Sequence, residues 1–339
     1  MEAILPDLKA RYEEAKTANP KARIRDLAHL LNTSEAQLVA LGAENIQLEG
    51  DWRELLKEVH TLSHVMALTR NDNAVHERKG VYNNVSFEGL MGLALNEDID
   101  LRLFMSNWRF GYAVQEGDRK SLQFFDKSGQ AVHKIYLTEK SDAAAWFTLV
   151  NKYKSVNPST ELEITAYPPS EQELPDTDID AAAFQQSWLE LKDTHEFFGL
   201  LRKYKLQRTQ ALRMAPEGHV QEVTNDTARK MLMAASEKQV PIMVFVGSRG
   251  CIQIHTGHVN RVMATGPWFN VLDPEFNLHL RETAIAKSFI VKKPSVDGIV
   301  TSLELFDDKG EMIVQFFGKR KPGSPELESW RELIASVGQ

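Results

Sequence analysis

The chain has almost no cysteine, and this scarcity excludes several kinds of site at once. Among its 339 residues only Cys251 carries a thiol. A single cysteine cannot form an internal disulfide framework, a cysteine-rich zinc site or an iron-sulfur cluster held by the chain's own thiolates. Any metal must therefore be bound through histidine or carboxylate groups.

The sequence also lacks an excess of positive charge and lacks long apolar runs. Lysine and arginine number 40 against 47 aspartates and glutamates, which gives a formal net charge of -7 and no basic field for nucleic acid. No window approaches the ~18 apolar residues of a spanning helix. The first residues, MEAILPDLKARYEEAK, are charged where a signal peptide is apolar. We therefore expect a cytoplasmic protein that neither inserts into a membrane nor binds nucleic acid.

An internal repeat is the strongest pattern in the sequence. Four segments of the first half recur in the same order in the second half. The first three pairs are typical of strands joined by turns, and the last is a helix that carries a tryptophan. The pairs are VMALTRNDNAVHERKG with PIMVFVGSRGCIQIHTG, LNEDIDLRLF with LDPEFNLHLR, SLQFFDKSGQAVHKIYL with SLELFDDKGEMIVQFF, and AAAWFTLV with LESWRELI.

A segment rich in proline and acidic residues separates the two copies. Residues 157–180, NPSTELEITAYPPSEQELPDTDID, lack periodic apolar positions, as an extended connector does. We predict an N-terminal repeat over residues 1–156, this connector, and a C-terminal repeat over residues 181–339. Because the strands alternate with period two and are joined by hairpins, the predicted fold is a duplicated α+β unit. Its antiparallel sheets have one face covered by helices.

Two short helices near the N-terminus allow two interpretations. Residues 25–41, RDLAHLLNTSEAQLVAL, have the form of a helix, a polar turn and a second helix. This is the pattern of a DNA-binding helix-turn-helix, and equally of a helical hairpin that packs on a sheet. The acidic chain, with only Lys21, Arg23 and Arg25 nearby, favours the hairpin.

The helical region that opens the second copy contains the most informative histidine. Four apolar residues and His195 recur at intervals of four, three, four and three, so one continuous helix would place them on a single face. His195 is then either a hydrogen-bonded core histidine or an iron ligand for an apolar, planar cofactor such as haem. The pattern leaves both interpretations open. The apolar members are Phe184, Trp188, Leu191 and Phe198.

Other polar residues bear on the choice. The two propionates of a haem need cationic partners, and Arg208, Lys293 and Arg320 are candidates, although the sequence does not show that they converge. On the strand DIDLRLF, alternation directs Arg102 away from the apolar face of that strand. Its repeat equivalent is His279, so the two copies have diverged at one position. The carboxylates lie on alternating or solvated positions, and no catalytic triad or phosphate-binding loop stands out.

The chain closely resembles the cytoplasmic haemin-degrading and haemin-transport proteins of the HemS, ChuS and HmuS type. The resemblance covers almost the whole chain and implies an α+β duplication in which two large antiparallel β-sheets stack centrally with flanking α-helices. The segments that carry it are NAVHERKG, DLRLF, DTHEFFGLLRKY, MVFVGSRGCIQI, LHLRE, KKPSVDGIVTSLELFD and QFFGKR.

The resemblance also implies the residues of a haem site. His195 is expected to bind the haem iron, with Arg102 on the distal side, and these two residues would serve catalysis. His76 matches a histidine proposed as a secondary ligand in some members. Where relatives often carry a tyrosine this chain has a phenylalanine in QFFG, so one hydroxyl contact is missing. The remaining contacts are expected at Phe104, Arg208, Lys293, Gln315, Phe317 and Arg320.

The predicted function is the binding of haem b in bacterial haem uptake and iron acquisition. As an enzyme, the protein would cleave the porphyrin ring to a linear tetrapyrrole and release iron. The electrons would come from an external donor such as NAD(P)H or a flavin reductase. The alternative is a haem chaperone or storage protein that passes haem to a separate oxygenase. The predicted partners are haem, an inner-membrane haem importer and a haem oxygenase.

Overall fold

The computed structural model describes residues 4–169, 172–321 and 323–338. Residues 1–3 of the predicted N-terminal repeat, 170–171 of the connector, and 322 and 339 of the C-terminal repeat lie outside the described residues. The described part of the chain contains ten α-helices and eighteen β-strands, which confirms the α+β class. Among these residues, no helix has both the length and the apolar character needed to cross a membrane.

The first half of the chain contains five helices and nine strands. They are α1 Ile4–Ala18, α2 Ile24–Leu30, α3 Glu35–Ala40, β1 Ile46–Leu48, α4 Trp52–Glu58, β2 Ser63–Arg70, β3 Ala74–Gly80, β4 Val85–Glu88, β5 Met91–Leu95, β6 Asp100–Phe104, β7 Phe110–Glu116, β8 Arg119–Phe125, β9 Ala131–Ser141 and α5 Ala143–Tyr153.

The second half repeats this order. Its elements are α6 Ala181–Leu189, α7 Glu196–Tyr204, α8 Arg208–Arg213, β10 Val220–Val223, α9 Thr227–Glu237, β11 Ile242–Gly247, β12 Cys251–Gly257, β13 Val262–Thr265, β14 Trp268–Leu272, β15 Phe276–Arg281, β16 Lys287–Ser295, β17 Gly298–Phe306, β18 Met312–Gly318 and α10 Glu328–Val337.

The strands form two nine-stranded sheets, so the prediction of two large antiparallel sheets is confirmed. One sheet has the order β1-β7-β8-β9-β2-β3-β15-β14-β13. The other has the order β10-β16-β17-β18-β11-β12-β6-β5-β4. Replacing each strand of the first half by its equivalent in the second half turns one order into the other.

The chain divides into two compact units, and each includes one short segment from the other half of the sequence. Unit 1 comprises Met1–Arg70, Glu77–Pro168 and Ser248–Gln253. Unit 2 comprises Asn71–His76, Pro169–Gly247 and Ile254–Gln339. The change from one unit to the other at residues 168 and 169 falls inside the predicted connector.

Strand register makes the two copies directly comparable. In the β8–β9 hairpin, Ser121 pairs with Tyr136, and in the β17–β18 hairpin, Ser302 pairs with Phe317. Both hairpins shift register at the same place, one residue before the end of their first strand. Each residue of one hairpin therefore has a defined equivalent in the other.

Helices cover the five-stranded run β10-β16-β17-β18-β11 of unit 2 on both faces, whereas the sequence predicted cover on one. On one face, α9 and α10 bury Val244, Leu303 and Phe316. On the other face, α6, α7 and α8 bury Phe289 and Val291. The layer formed by α6, α7 and α8 extends only as far as β16 and β17 on this face. The candidate site lies where this helix layer ends.

The paired helices α2 and α3 form the predicted hairpin. Ser34 caps α3, because its hydroxyl accepts a hydrogen bond from the backbone N–H of Gln37. Ala36 and Val39 of α3 are buried against the sheet residues Tyr112 and Val114, among others. Because α3 buries Ala36 and Val39 against the sheet of its own unit, α2 and α3 form a packed helical hairpin, as the acidic composition of the chain indicated.

Candidate functional site

The helix expected to carry His195 is broken in two. Helix α6 ends at Leu189 and α7 begins at Glu196. Phe184 and Trp188 are fully buried, whereas the His195 side chain is 87% exposed. The continuous apolar face is therefore wrong, and so is the interpretation of His195 as a core histidine.

Side-chain hydrogen bonds explain the break. One oxygen of Glu196 accepts from the backbone N–H groups of Lys192 and Asp193 at 2.9 and 3.3 Å. A carboxylate oxygen of Asp193 accepts from the backbone N–H of His195 at 2.8 Å. Such local bonds compete with the helical pattern, so the chain turns here and His195 becomes the residue just before α7.

The same aspartate orients the imidazole ring. His195 Nδ1 lies 2.6 Å from Asp193 Oδ1. Because an ionised carboxylate can only accept, Nδ1 carries the hydrogen, and the Nε2 lone pair of a neutral ring points away from Asp193. No described residue forms a hydrogen bond with Nε2. An imidazole held by a carboxylate in this way is typical of metal-binding histidines.

Electrostatics at this turn are consistent with an ionised Asp193. The hydrogen bond from the backbone N–H of His195 is the largest effect that lowers the pKa of Asp193. Arg320 also lowers the pKa of this carboxyl group through its charge. The sequence analysis overlooked Asp193, although the short motif DTHE, with an acid two residues before the histidine, was visible.

Three of the predicted haem contacts converge on a glutamate that the sequence did not single out. Arg208 donates two hydrogen bonds to the carboxylate of Glu304, each 2.8 Å long. Lys293 Nζ donates to the same group at 2.8 Å and Gln315 Nε2 at 3.0 Å. Glu304 lies on an alternating strand, as the sequence predicted for such carboxylates, but it is fully buried and not solvated.

Burial and charge act against each other in this cluster. Burial lowers the pKa of Lys293 to about 8, while the neighbouring carboxylate of Glu304 opposes the shift. Burial tends to raise the pKa of Glu304, but Arg208 and Lys293 outweigh it and hold that pKa well below the usual range. Both cations also lie over the ring of Phe197, at 5.2 and 4.6 Å from its centre. Two cations and one carboxylate leave one net positive charge.

Beside this cluster the sheet face is partly open. On β18, Gln315 and Phe317 are half-buried and alternate with buried residues, and on β11 their partners Phe245 and Met243 are also half-buried. The rings of Phe245 and Phe317 lie 5.0 Å apart at an angle of 60°. Their exposed faces form an aromatic surface suited to a planar ligand.

Arg320 follows this strand and has an unused donor. One terminal guanidinium nitrogen lies 3.4 Å from Asp297. Its Nε is buried, and among the described residues it has no hydrogen-bond partner. Unit 2 thus contains an outward imidazole, a net positive cluster, a buried free donor and an aromatic surface. These groups fit the iron, the propionates and the macrocycle of a haem.

In unit 1, Arg102 has the orientation that alternation predicts. Leu101 and Leu103 are buried, and Arg102 and Phe104 lie on the opposite, half-exposed face of β6. The guanidinium group forms an ion pair with Asp100. Burial raises the pKa of Asp100, and the charge of Arg102 opposes that shift.

Two other histidines are held inside unit 2. His279 is the repeat equivalent of Arg102, and its Nδ1 lies 2.7 Å from the side-chain oxygen of Asn270. This ring nitrogen therefore forms a hydrogen bond within unit 2. His76 is fully buried, with its ring 4.9 Å from that of Phe276. A ligand role for His76 stays a prediction and requires that the side chain leave this position.

Comparison with known proteins gives consistent matches over the whole chain. Residues 32–153 and 205–337 each match the model of the haemin-degrading HemS.ChuX domain, in agreement with the internal repeat. The hemin transport protein HmuS of Yersinia pestis is 41% identical over 335 residues, covering 96% of each chain.

Two solved structures are similar to this fold. The apo form of PhuS, a heme-binding protein from Pseudomonas aeruginosa, is 47% identical with a TM-score of 0.95, covering 97% of this chain and 98% of that one. ChuS, an E. coli heme oxygenase, is 36% identical with a TM-score of 0.88, covering 96% of this chain and 99% of that one.

Proposed function

The chain belongs to the haemin-degrading HemS.ChuX family, and we propose that it binds one haem through His195 in bacterial haem uptake. The observation that supports this most strongly is the exposed imidazole of His195, held by Asp193 so that Nε2 points outward. We place the protein in the cytoplasm, as the resemblance implies, where imported haem would reach it from an inner-membrane importer.

Unit 2 supplies the other contacts of the proposed site. The net positive cluster of Arg208 and Lys293 around Glu304 would bind a propionate. Arg320, whose side chain is 19% exposed, would bind a propionate through the accessible part of its guanidinium group, and Gln315 and Phe317 would line the rim of the macrocycle. Iron is then held through one neutral imidazole, which leaves its opposite side accessible to a second ligand.

Haem is the proposed substrate as well as the ligand. We assign Arg102 and Phe104 to the distal side, on the resemblance. An arginine there offers fixed N–H donors that stabilise negative charge as it develops during ring opening. The proposed reaction consumes oxygen and electrons from an external donor, opens the ring at one bridging carbon, and releases iron, a linear tetrapyrrole and, where that carbon is excised, a one-carbon product. The protein groups position the haem, whose own chemistry makes and breaks the bonds.

The second candidate function is transport or storage of haem. The exposure of the His195 side chain favours it, because an accessible ligand can exchange haem with a partner such as a separate haem oxygenase. Both functions need the same reversible binding by His195.

Haemin titration followed by visible absorption tests the shared part of the proposal. We expect a one-to-one Soret transition in the wild type and a loss of at least about 100-fold in affinity in His195→Ala, since even the loss of a group that orients a ligand costs about 10- to 100-fold. Arg102→Ala should bind with an altered spectrum. His60→Ala is the matched control, because His60 is an exposed histidine of unit 1 whose Nδ1 lies 2.7 Å from the carbonyl of Lys57. Equal binding by the wild type and His195→Ala would show that the site assignment is wrong.

Product analysis separates the two candidate functions. Haem-loaded protein is supplied with NADPH and a flavin reductase, with catalase and an iron chelator present. A biliverdin-like spectrum with chelated iron supports degradation, and Arg102→Ala should slow it. Loss of haem signal only when catalase is omitted would indicate incidental peroxide chemistry and favour the transport function.

A further inference from the structure

We propose that Glu304 is a positioning residue that makes Arg208 and Lys293 into a binding site for one ligand carboxylate. This inference rests on the proposed function, in which Arg208 and Lys293 bind a propionate of haem. Glu304 is then the internal group on which those contacts depend. Glu304 does not itself contact the ligand. It holds the two cations and sets their combined charge.

The hydrogen bonds around Glu304 leave the cations with unused donors. Oε1 accepts from Arg208, Lys293, Gln315 and the hydroxyl of Ser302, the last two at 3.0 Å. Oε2 accepts from Nε of Arg208 at 2.8 Å. Lys293 uses one of its three N–H donors in these bonds and Arg208 uses two of its five. The remaining donors of both cations are not used by Glu304.

Exposure indicates where a ligand carboxylate would bind. The Lys293 side chain is 4% exposed and that of Glu304 is 0% exposed, while that of Arg208 is 26% exposed. The carboxylate of Glu304 thus lies on the inner side of the pair, and the outer edge of Arg208 is accessible. With the inner carboxylate fixed, the guanidinium fork is oriented before any ligand arrives, so less conformational entropy is lost on binding.

The fold itself does not require an acid at this position. In the repeat hairpin of unit 1, the register places Gln123 where unit 2 has Glu304. Gln123 is also buried, and its amide nitrogen donates to Ser121 at 3.0 Å. A neutral residue therefore occupies the same strand position in unit 1. The acid occurs in the copy that also carries Arg208 and Lys293.

Charge gives Glu304 a second effect. The groups that face Lys293 are the ring of Phe197 from α7, Arg208 from α8 and Glu304 from β17. Of the charged groups only Glu304 favours the protonated amine, because burial and Arg208 both lower the pKa of Lys293. With Glu304 the pKa is about 8, so Lys293 is mainly charged at neutral pH. Without it, this pKa would fall further and the amine would lose its proton at lower pH.

The test compares haem with haem dimethyl ester, which has no free carboxylate, across pH about 6 to about 9.5. The wild type should prefer haem, and the preference should decline as the pH rises through about 8, where Lys293 loses its proton. In Glu304→Gln we expect the preference to fall about tenfold at neutral pH and its decline to move to lower pH.

Glu326→Gln is the matched control. Glu326 is another buried glutamate of unit 2, and it accepts from the backbone N–H and hydroxyl of Thr301 at 2.6 and 2.8 Å. Among the described residues its side-chain hydrogen bonds go to Thr301 and Arg331 and not to Arg208 or Lys293, so this variant should keep the wild-type preference and pH dependence. Glu304→Asp, which keeps the charge, should retain the pH dependence and lose part of the preference. If Glu304→Gln does not fold, as judged by circular dichroism, Glu304→Asp decides.

Each outcome bears on a different statement. A folded Glu304→Gln with the wild-type preference and pH profile would overturn the role of Glu304, as would a Glu304→Asp variant that behaves like the wild type when Glu304→Gln does not fold. Equal affinity of the wild type for haem and its ester would place the propionates elsewhere and overturn this inference, while the proposed function stands. Failure of the wild type to bind either compound would overturn the proposed function and this inference with it.

Discussion

The N-terminal repeat has acidic side chains at positions where the C-terminal repeat has basic ones. Strand pairing and helix order define the equivalent positions. Glu35 and Arg208, for example, are each the first residue of a six-residue helix. Three pairs have opposite charge, namely Glu35 and Arg208, Glu116 and Lys293, and Glu139 and Arg320.

The two copies also differ in their buried ion pairs, because the helix supplies the acid in one copy and the base in the other. In unit 1, Glu35 forms an ion pair with Lys134 on β9. In unit 2, Arg208 forms one with Glu304 on β17, and the equivalent of Lys134 is the neutral Gln315. The same backbone thus supports opposite charges, which shows that these residues were not dictated by the fold.

The N-terminal repeat also has no equivalent of the iron ligand. The residues before α2 read NPKAR, whereas those before α7 read KDTH. Without a histidine at this position, unit 1 should not offer a second haem site of this kind. We therefore expect one haem per chain, and the following variants test the difference between the repeats.

The largest expected effect is on stability. Lys134→Ala removes the closest partner of Glu35, which is buried and otherwise 3.9 Å from Arg25. Leaving such a charge unpaired should lower the free energy of unfolding by about 3 to 5 kcal/mol. Gln315→Ala, at the equivalent position of unit 2, removes one hydrogen bond and should cost about 1 kcal/mol. Chemical denaturation measures both, and equal losses would contradict the proposed difference between the two clusters.

Next in size is the effect of removing Asp193. Asp193→Ala should weaken haem binding about 10- to 100-fold, because the imidazole loses the carboxylate that orients it. Asp51→Ala in unit 1 is the matched control, since Asp51 Oδ1 accepts from the backbone N–H two residues later, at 2.9 Å, in the same local motif. Haemin titration measures the affinities. A wild-type affinity in Asp193→Ala would contradict the role of this aspartate.

A smaller effect on haem affinity is expected at Arg320, the last of the three basic positions compared above. Arg320→Ala removes a charged donor and should weaken haem binding about tenfold. Glu139→Ala, at the equivalent position in the N-terminal repeat, should leave the affinity unchanged. If both variants weaken binding equally, the two repeats contribute alike and the comparison fails.

The smallest effect concerns Phe317, whose equivalent in unit 1 is Tyr136. Phe317→Tyr restores the hydroxyl that relatives often carry and should strengthen haem binding by about threefold, the contribution of one neutral hydrogen bond. Tyr136→Phe should not change the affinity. An unchanged affinity in Phe317→Tyr would show that the aromatic surface does not contact the macrocycle, and a weaker affinity would contradict the added hydrogen bond.

The repeat and its hairpins could be predicted from the sequence because they depend on local alternation and turn residues. The orientation of Arg102 followed from alternation alone, and the structure confirms it. Helix cover on the second face of the unit 2 sheet could not be predicted, since it depends on tertiary packing. The exchange of short segments between the units has the same origin.

The site was harder to predict for two physical reasons. The spacing around His195 fits a helix, but the hydrogen bonds of Asp193 and Glu196 to the backbone outweigh that preference. Glu304 lies in the alternating strand SLELF, where a lone acid is usually solvated, and its burial depends on Lys293 of the neighbouring strand and on Arg208, 96 residues away in the sequence. Burial of a charge through distant partners leaves no local signal.

The most direct test of the central claim is the number of haems bound per chain. Native mass spectrometry of the wild type and His195→Ala, titrated with substoichiometric to moderately excess haemin, counts them. The account predicts one haem on the wild type and none on His195→Ala over the same range. A second haem of comparable affinity on the wild type, or a single haem retained by His195→Ala, would contradict it.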